Sequence, residues 1–227
     1  MTFHIITLFP ESFDSIFASS ILKRAIDKKI IKVKFINPRD FAKDKHKTVD
    51  DSPYGGGKGM VMKVDILTKA LESIKPKPYT LLLSASGKKY TQQTAQKLKG
   101  KSEIALICGH YEGTDARVEK YVDEVMSVGD FVQTGGEIPA MAIVDSVTRL
   151  LPGAITQGSA KDESFSTLNF QFSTLLEYPQ YTRPEDFRGQ KVPKVLLSGN
   201  HQKIEEWRRR QSLKRTKKFR PDLLKKS

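Results

Sequence analysis

Apolar and polar positions in this chain switch repeatedly between two periods. Residues 3–8 (Phe-His-Ile-Ile-Thr-Leu) form a β-rich run, and from Pro10 the apolar residues Phe13, Ile16, Phe17 and Ile21 recur at helical spacing. The pattern predicts a strand followed by one helix. A second strand is expected over 32–36, where Lys-Val-Lys-Phe-Ile alternates until Asn37-Pro38; proline has no N–H to continue a ladder. After a long polar loop, the spacing predicts a helix near 65–74, a strand at 79–84, a helix at 91–98 and a buried strand at 103–108. A helix over 114–121, a strand around 122–126 and a helix over 138–151 complete the series. Such alternation argues for an α/β fold with a mainly parallel sheet.

Leu151-Pro152-Gly153 closes this unit, and the chain then changes character. Residues 158–174 are rich in Ser, Thr, Asp and Glu, as a linker would be. Beyond Tyr178 come Pro179, Pro184 and Pro193, then a helix with Ile204, Trp207 and Leu213 as its expected apolar contacts. The expected organisation is an α/β domain over 1–157, a linker over 158–177 and a small helical domain over 178–227.

Three glycine-rich stretches interrupt the periodic pattern. The most informative runs from Ser127-Val128-Gly129-Asp130-Phe131-Val132-Gln133 through Gly135-Gly136-Glu137 to Pro139, where a short strand turns into a helix. Glycine there lets another molecule approach the main chain, and Pro139 suits a first helical turn. The second is Cys108-Gly109-His110-Tyr111-Glu112-Gly113, directly after the buried strand. Together with 83–87, both lie after strands, at the edge where open α/β sheets hold ligands. None spells the dinucleotide fingerprint, so a nucleoside held by backbone groups is the expectation. The third, Tyr54-Gly55-Gly56-Gly57-Lys58-Gly59-Met60, lacks the Ser or Thr that a phosphate loop carries after its lysine. It reads as a tip that closes over a planar substrate, with Tyr54 and Met60 flanking.

Charge adds a partner. The 227 residues carry a formal +13, and 201–227 hold eleven Lys and Arg against three acids, a net of +8. Arg208, Arg209, Arg210, Lys214 and Arg215 beside Trp207 favour phosphate contact. No run of eighteen apolar residues exists and no basic flank precedes an apolar region at the N-terminal end, so a soluble cytoplasmic protein is expected. One cysteine excludes an intramolecular disulfide, and it also undercuts the likeness of His110-Tyr111-Glu112 to zinc deaminases, which need a Cys-x-x-Cys pair. His4, His46, His110 and His201 are scattered and are read as capping or surface residues, with no metal site assigned. Asp50, Asp51, Glu112, Asp130, Glu137, Arg149, Asp162 and Glu163 remain for proton removal and charge stabilisation. An RNA-binding module without catalysis fits the same charge pattern.

Read together, Asp50-Asp51, Pro53-Tyr54-Gly55-Gly56-Gly57, Gly59-Met60, Gly109-His110-Tyr111-Glu112-Gly113, Gly129-Asp130, Gly135-Gly136-Glu137, Asp145-Ser146-Val147-Thr148-Arg149, Tyr178-Pro179-Gln180-Tyr181-Thr182-Arg183-Pro184 and Leu196-Leu197-Ser198-Gly199-Asn200-His201 closely resemble the bacterial tRNA (guanine-N1)-methyltransferase family over essentially the whole chain. The resemblance implies the SPOUT class: a deep trefoil knot, S-adenosylmethionine as cofactor, a homodimer with shared active sites, and methylation of N1 of the guanosine 3′ of the anticodon. It implies tRNA as partner, with neither membrane nor DNA.

Carried over position by position, the cofactor pocket would comprise Leu82, Leu83, Ser84, Gly109, Tyr111, Glu112, Gly113, Ser127, Val128, Gly129, Asp130, Phe131, Val132, Gln133, Gly135, Gly136 and Pro139. Substrate would meet Asp50, Tyr54, Gly55, Gly56, Gly59, Ser198, Asn200, His201, Arg208, Arg209, Lys214 and Arg215. Arg149 matches the family's catalytic arginine, which stabilises charge on guanine O6. The family's general base is an aspartate before Ser-Phe; here Glu163 occupies that place with Asp162 one step earlier, so both are candidates. Ala85 stands where relatives often carry proline, Phe131 where many have tyrosine, and 167–174 is longer than usual. Mg²⁺ is implied as well, with no residue assigned to it.

Overall fold

A computed structural model describes residues 1–156, 164–165 and 175–224. The chain divides into two compact units, Met1–Thr156 and Gln157–Ser227.

The first unit is built on a five-stranded sheet of β1 (Thr2–Ile6), β2 (Lys32–Ile36), β5 (Tyr79–Lys89), β6 (Glu103–Cys108) and β7 (Glu124–Ser127), in the order β2-β1-β6-β5-β7. Every pairing in it is parallel, which places all the carboxyl ends on one edge. Period-two alternation explains both layers of core. Ile104, Leu106 and Cys108 of β6, with Leu81 and Leu83 of β5, face one layer; Ala105, Ile107 and Leu82 face the other. The first layer is closed by α2 (Ser20–Asp27), α4 (Gln92–Lys99) and α5 (Glu137–Thr148), the second by α3 (Val64–Glu72). A parallel sheet covered on both faces needs such continuous apolar strands.

Between β2 and α3, the strands β3 (Asp50–Asp51) and β4 (Val61–Met62) pair antiparallel and carry the glycine tip.

Several expectations are corrected. The single helix after β1 is broken into a 3-10 turn (Pro10–Phe13), α1 (Asp14–Phe17) and α2, with Ser20 at φ 49. The Ser19 hydroxyl donates to the Ser15 carbonyl at 3.0 Å, the kind of local competition that ends a helix. Residues Ala116–Tyr121 form a 3-10 helix rather than an α-helix, started by Asp115, whose carboxylate accepts from the Arg117 N–H at 2.9 Å. β5 runs past residue 84: Leu83 and Lys88 both pair with Met126, so the intervening residues loop out. Gly87 makes this possible, because a Cβ there would stand 2.6 Å from the Val125 carbonyl carbon. His4 is no surface residue; it is buried, with Nε2 2.7 Å from Glu103 Oε2 on the adjacent strand.

The second unit contains the hairpin β8 (Asp186–Phe187) and β9 (Gln190–Lys191), the short helix α6 (Lys194–Leu197) and the long helix α7 (His201–Phe219). Its buried face is Trp207, Ser212 and Thr216, whereas Leu213 is exposed and Ile204 only half-buried. The Thr216 hydroxyl can sit inside because it is satisfied: Oγ1 donates to the Ser212 carbonyl at 2.8 Å and accepts from the Leu176 N–H at 2.9 Å.

Candidate active site

Three segments at the carboxyl edge of the sheet, the looped-out stretch within β5 and the loops after β6 and β7, enclose a cleft of about 200 Å³. From the first come Leu83, Ser84 and Ala85; from the second Gly109, Glu112 and Gly113; from the third Ser127, Val128, Gly129, Phe131, Val132, Gln133, Gly135 and Gly136, with Pro139 from the first turn of α5. All three are the stretches that sequence spacing placed on this edge. Thr114 and Met126 also line the cleft and were missed; a strand's last core residue carries no sequence signal that it also fronts a loop.

Backbone ties hold the loops in place. The Gly136 N–H donates to the Gly109 carbonyl at 2.8 Å, and His110 and Gly135 form an antiparallel bridge. A Cβ on Gly136 would stand 2.6 Å from Cys108 Cα, so this contact requires glycine. Ser127 turns its hydroxyl to the Gly129 carbonyl at 2.8 Å and so fixes the third loop internally. Behind the cleft, buried Glu137 accepts from the Thr7 hydroxyl at 2.7 Å, and His110 Nδ1 lies 3.6 Å from its other oxygen. Glu137 also opens α5, where a carboxylate is favoured by the helix dipole. Cys108 is fully buried below, and burial, reinforced by Glu137, pushes its thiol well above the usual range. An un-ionised thiol is a core side chain, not a nucleophile.

Three expected cofactor residues do not line the cleft. Leu82 points into the opposite core layer. Asp130 is exposed and holds Lys89 at 2.8 Å. Tyr111, at φ 60, turns outward with its ring edge-on to His110.

The electrostatics of the cleft oppose those of the chain. Among the described lining residues none is Lys, Arg or His, and Glu112 is the only charged one. Two or more phosphates would find no counter-charge here, whereas a ligand bearing a positive sulfur would meet one carboxylate. The residues present therefore fit S-adenosylmethionine. They offer nothing comparable for Mg²⁺: among the described residues, no group of three or more His, Cys, Asp or Glu could hold a metal ion.

Beside the cleft, the glycine tip is zipped to the second loop. Glu112 N–H donates to the Met60 carbonyl at 3.0 Å and Met62 N–H to the Gly113 carbonyl at 2.9 Å. Gly59 packs so closely on Glu112 that a Cβ would reach 2.5 Å from its Cγ. Asp50 pairs with Met62 at the base of the tip, while Tyr54 is fully exposed and Gly55 and Gly56 face open space. Arg149 caps the far end of α5. Asp162 and Glu163 lie outside the described residues, as does 167–174.

In the second unit, Arg209, Lys214 and Arg215 are exposed on α7. Arg208 is committed elsewhere: it donates to Glu205 at 2.8 Å and lies 4.8 Å over the Tyr178 ring. Asn200 caps α7 by accepting from the Lys203 N–H at 3.0 Å, and Ser198 accepts from the Asn200 N–H at 3.2 Å, so both already hold the chain's own backbone; His201 begins the helix and is exposed.

A model of the family described as tRNA (Guanine-1)-methyltransferase TrmD matches residues 1–226. Among curated proteins named tRNA (guanine-N(1)-)-methyltransferase, the one from Caldanaerobacter subterraneus subsp. tengcongensis is 54% identical, covering 100% of this chain and 93% of its own length. Those from Geobacillus kaustophilus and Clostridioides difficile are 52% and 50% identical, covering 99% and 100% of this chain and 91% and 99% of theirs. Among the described residues no helix is long and apolar enough to cross a membrane.

Proposed function

This chain belongs to the tRNA (guanine-1)-methyltransferase family, and from that premise we propose that it transfers a methyl group from S-adenosylmethionine to N1 of the guanosine immediately 3′ of the anticodon in tRNA, in the cytoplasm. The observation that carries the cofactor reading is the cleft without a basic side chain in a chain of +13. Bound there, S-adenosylmethionine would supply the methyl group as an electrophile on a sulfonium.

The protein's own part is binding, orientation and proton movement. Backbone groups of the three loops take the nucleoside, and the tip at 54–59 covers the target base. N1 of guanine becomes a nucleophile when its proton leaves, which moves charge onto O6. Glu163 or Asp162 takes that proton, and Arg149 stabilises the charge on O6.

Within one chain the cleft and Arg149 lie far apart. Gly136 and Arg149 stand at opposite ends of α5, roughly 20 Å apart at 1.5 Å of rise per residue. A homodimer resolves this by letting a second copy supply Arg149. Exposed Val132, Phe131, Ile138 and Tyr111, clustered in sequence around the cleft loops, support an interface there. The family's trefoil knot belongs to the same reading, supported by the close backbone passages at Gly87 and Gly136. Mg²⁺ remains an expectation of the family, and no step is assigned to it.

The test is incubation of an unmodified tRNA transcript with methyl-labelled cofactor, followed by nucleoside analysis. Label in 1-methylguanosine is expected. Label in protein or DNA, or RNA binding with no transfer, would refute the reading.

A further inference from the structure

The second unit carries a pocket that none of the residues assigned above explains. Tyr181, Arg183, Phe187, Gln190, Lys191 and Val192 surround a cavity of about 270 Å³ on one side of the β8–β9 hairpin. Phe187 is 58% exposed and Tyr181 49%, so two aromatic rings are presented to solvent beside two cations, Arg183 and Lys191, the second in a long, exposed pair with Asp186 at 3.8 Å.

The hairpin is built to hold that arrangement. Its two-residue turn places Arg188 at φ 51 and Gly189 at φ 80, the left-handed pair that suits the twist of a tight hairpin. Arg188 accepts a conformation disfavoured for an L-residue, and the turn is fastened by the Gly189 N–H donating to Asp186 at 2.9 Å. Phe187 and Gln190 are directly paired, which puts their side chains on one face. The Arg188 guanidinium lies 5.2 Å over the Phe187 ring, and Tyr181 leans on buried Trp207 with centroids 6.2 Å apart.

We propose that this pocket takes one unstacked nucleobase of the RNA substrate, stacked on Phe187 and bordered by Tyr181, with Gln190 at the base edge and Arg183 and Lys191 on the flanking phosphates. A flat π-face with cations around it is how proteins hold single-stranded RNA. The net +8 over 201–227 of the same unit selects a polyanion over a peptide as occupant. The proposal rests on the tRNA reading above and goes beyond it, since the basic α7 alone supplies phosphate contact without any base.

Affinity for an unmodified tRNA transcript, measured by fluorescence anisotropy across a salt series, tests it. Phe187→Ala is expected to weaken binding roughly five- to hundredfold, the range of one base stack. Because no phosphate contact is lost, the slope of log affinity against log salt stays that of the native protein. Phe187→Trp restores affinity and Phe187→Leu does not, a split that a purely structural role would not give. Affinity for S-adenosylmethionine is unchanged throughout.

Native affinity in Phe187→Ala, equal rescue by Leu and Trp, or a fall in salt slope would overturn the proposal. So would a change in oligomeric state, which would make the hairpin an interface between copies. Failure of the native protein to methylate tRNA strikes the functional reading itself, and is seen before any variant is made.

Discussion

The Gly136 N–H and the Gly109 carbonyl meet at 2.8 Å, and this one hydrogen bond ties the loop after β6 to the start of α5 across the floor of the cleft. Gly136→Ala puts a methyl 2.6 Å from Cys108 Cα, inside a backbone that cannot yield cheaply. The loops must part. We expect affinity for S-adenosylmethionine to fall at least about tenfold and stability by about 1–3 kcal/mol, as for overpacked sites. Gly100→Ala, 3.4 Å from its nearest neighbour and ahead of β6, whose other end carries the cleft loop, serves as a control and leaves affinity unchanged in the same titration.

Arg149 gives the opposite phenotype. Removing a charge stabiliser of the transition state costs on the order of 10²–10³ in rate, so Arg149→Ala should lose kcat at native cofactor affinity. Mixing Arg149→Ala with Gly136→Ala protein then regains activity, because a mixed dimer contains one intact cleft facing one intact arginine. No recovery on mixing would place both groups in one chain's site.

The general base separates by amide substitution. Glu163→Gln and Asp162→Asn are compared in single-turnover methylation with saturating tRNA, where a lost base costs about 10²–10⁴ in rate. The loss is expected in Glu163→Gln, whose place before Ser164-Phe165 matches the family pattern. Loss in Asp162→Asn alone transfers the role, and two near-native enzymes remove it from both.

Acid stability carries a signature of Asp115. Hydrogen bonds from the Arg117 side chain and N–H hold its carboxyl down to about 2. An unfolded aspartate titrates near about 3.9, so folding favours the ionised form. That stability is complete above the unfolded value and is lost as pH falls through the folded one. Denaturation midpoints of Asp115→Asn followed from pH 5 to 2 should therefore change less steeply than native ones below about pH 4.

On α7, the salt dependence of tRNA binding should distinguish neighbouring arginines. Arg209→Ala or Lys214→Ala lowers the slope by about one each, since each is an exposed cation. Arg208→Ala leaves the slope unchanged and lowers thermal stability instead, because its guanidinium is engaged with Glu205 and Tyr178.

Much of this was legible in residue order. The continuous apolar run at 104–108 marked a strand buried on both faces, and the glycines at 109, 113, 129, 135 and 136 marked the loops of the cleft. The site was legible for the same reason as the strands: both are written locally, one as apolar runs, the other as clusters of glycine. Composition fixed the basic C-terminal end, and the motif series fixed the family.

What the order of residues could not decide was which side chain wins when several local readings compete. Leu82 and Leu83 are neighbours with the same chemistry, yet only Leu83 fronts the cleft, because successive strand residues face opposite layers and pairing sets which is which. Arg208 and Arg209 differ only by about 100° around a helix, and Trp207's burial turns the first inward. The run from Pro10 to Asp27 is one helix by periodicity and three pieces in space, since the Ser19 hydroxyl offers the backbone a cheaper partner. The sequence by itself determined the periods, the glycine-rich loops and the charge. Tertiary structure alone decided burial, because burial depends on residues distant in the chain, and it alone brought the Gly136 N–H onto the Gly109 carbonyl.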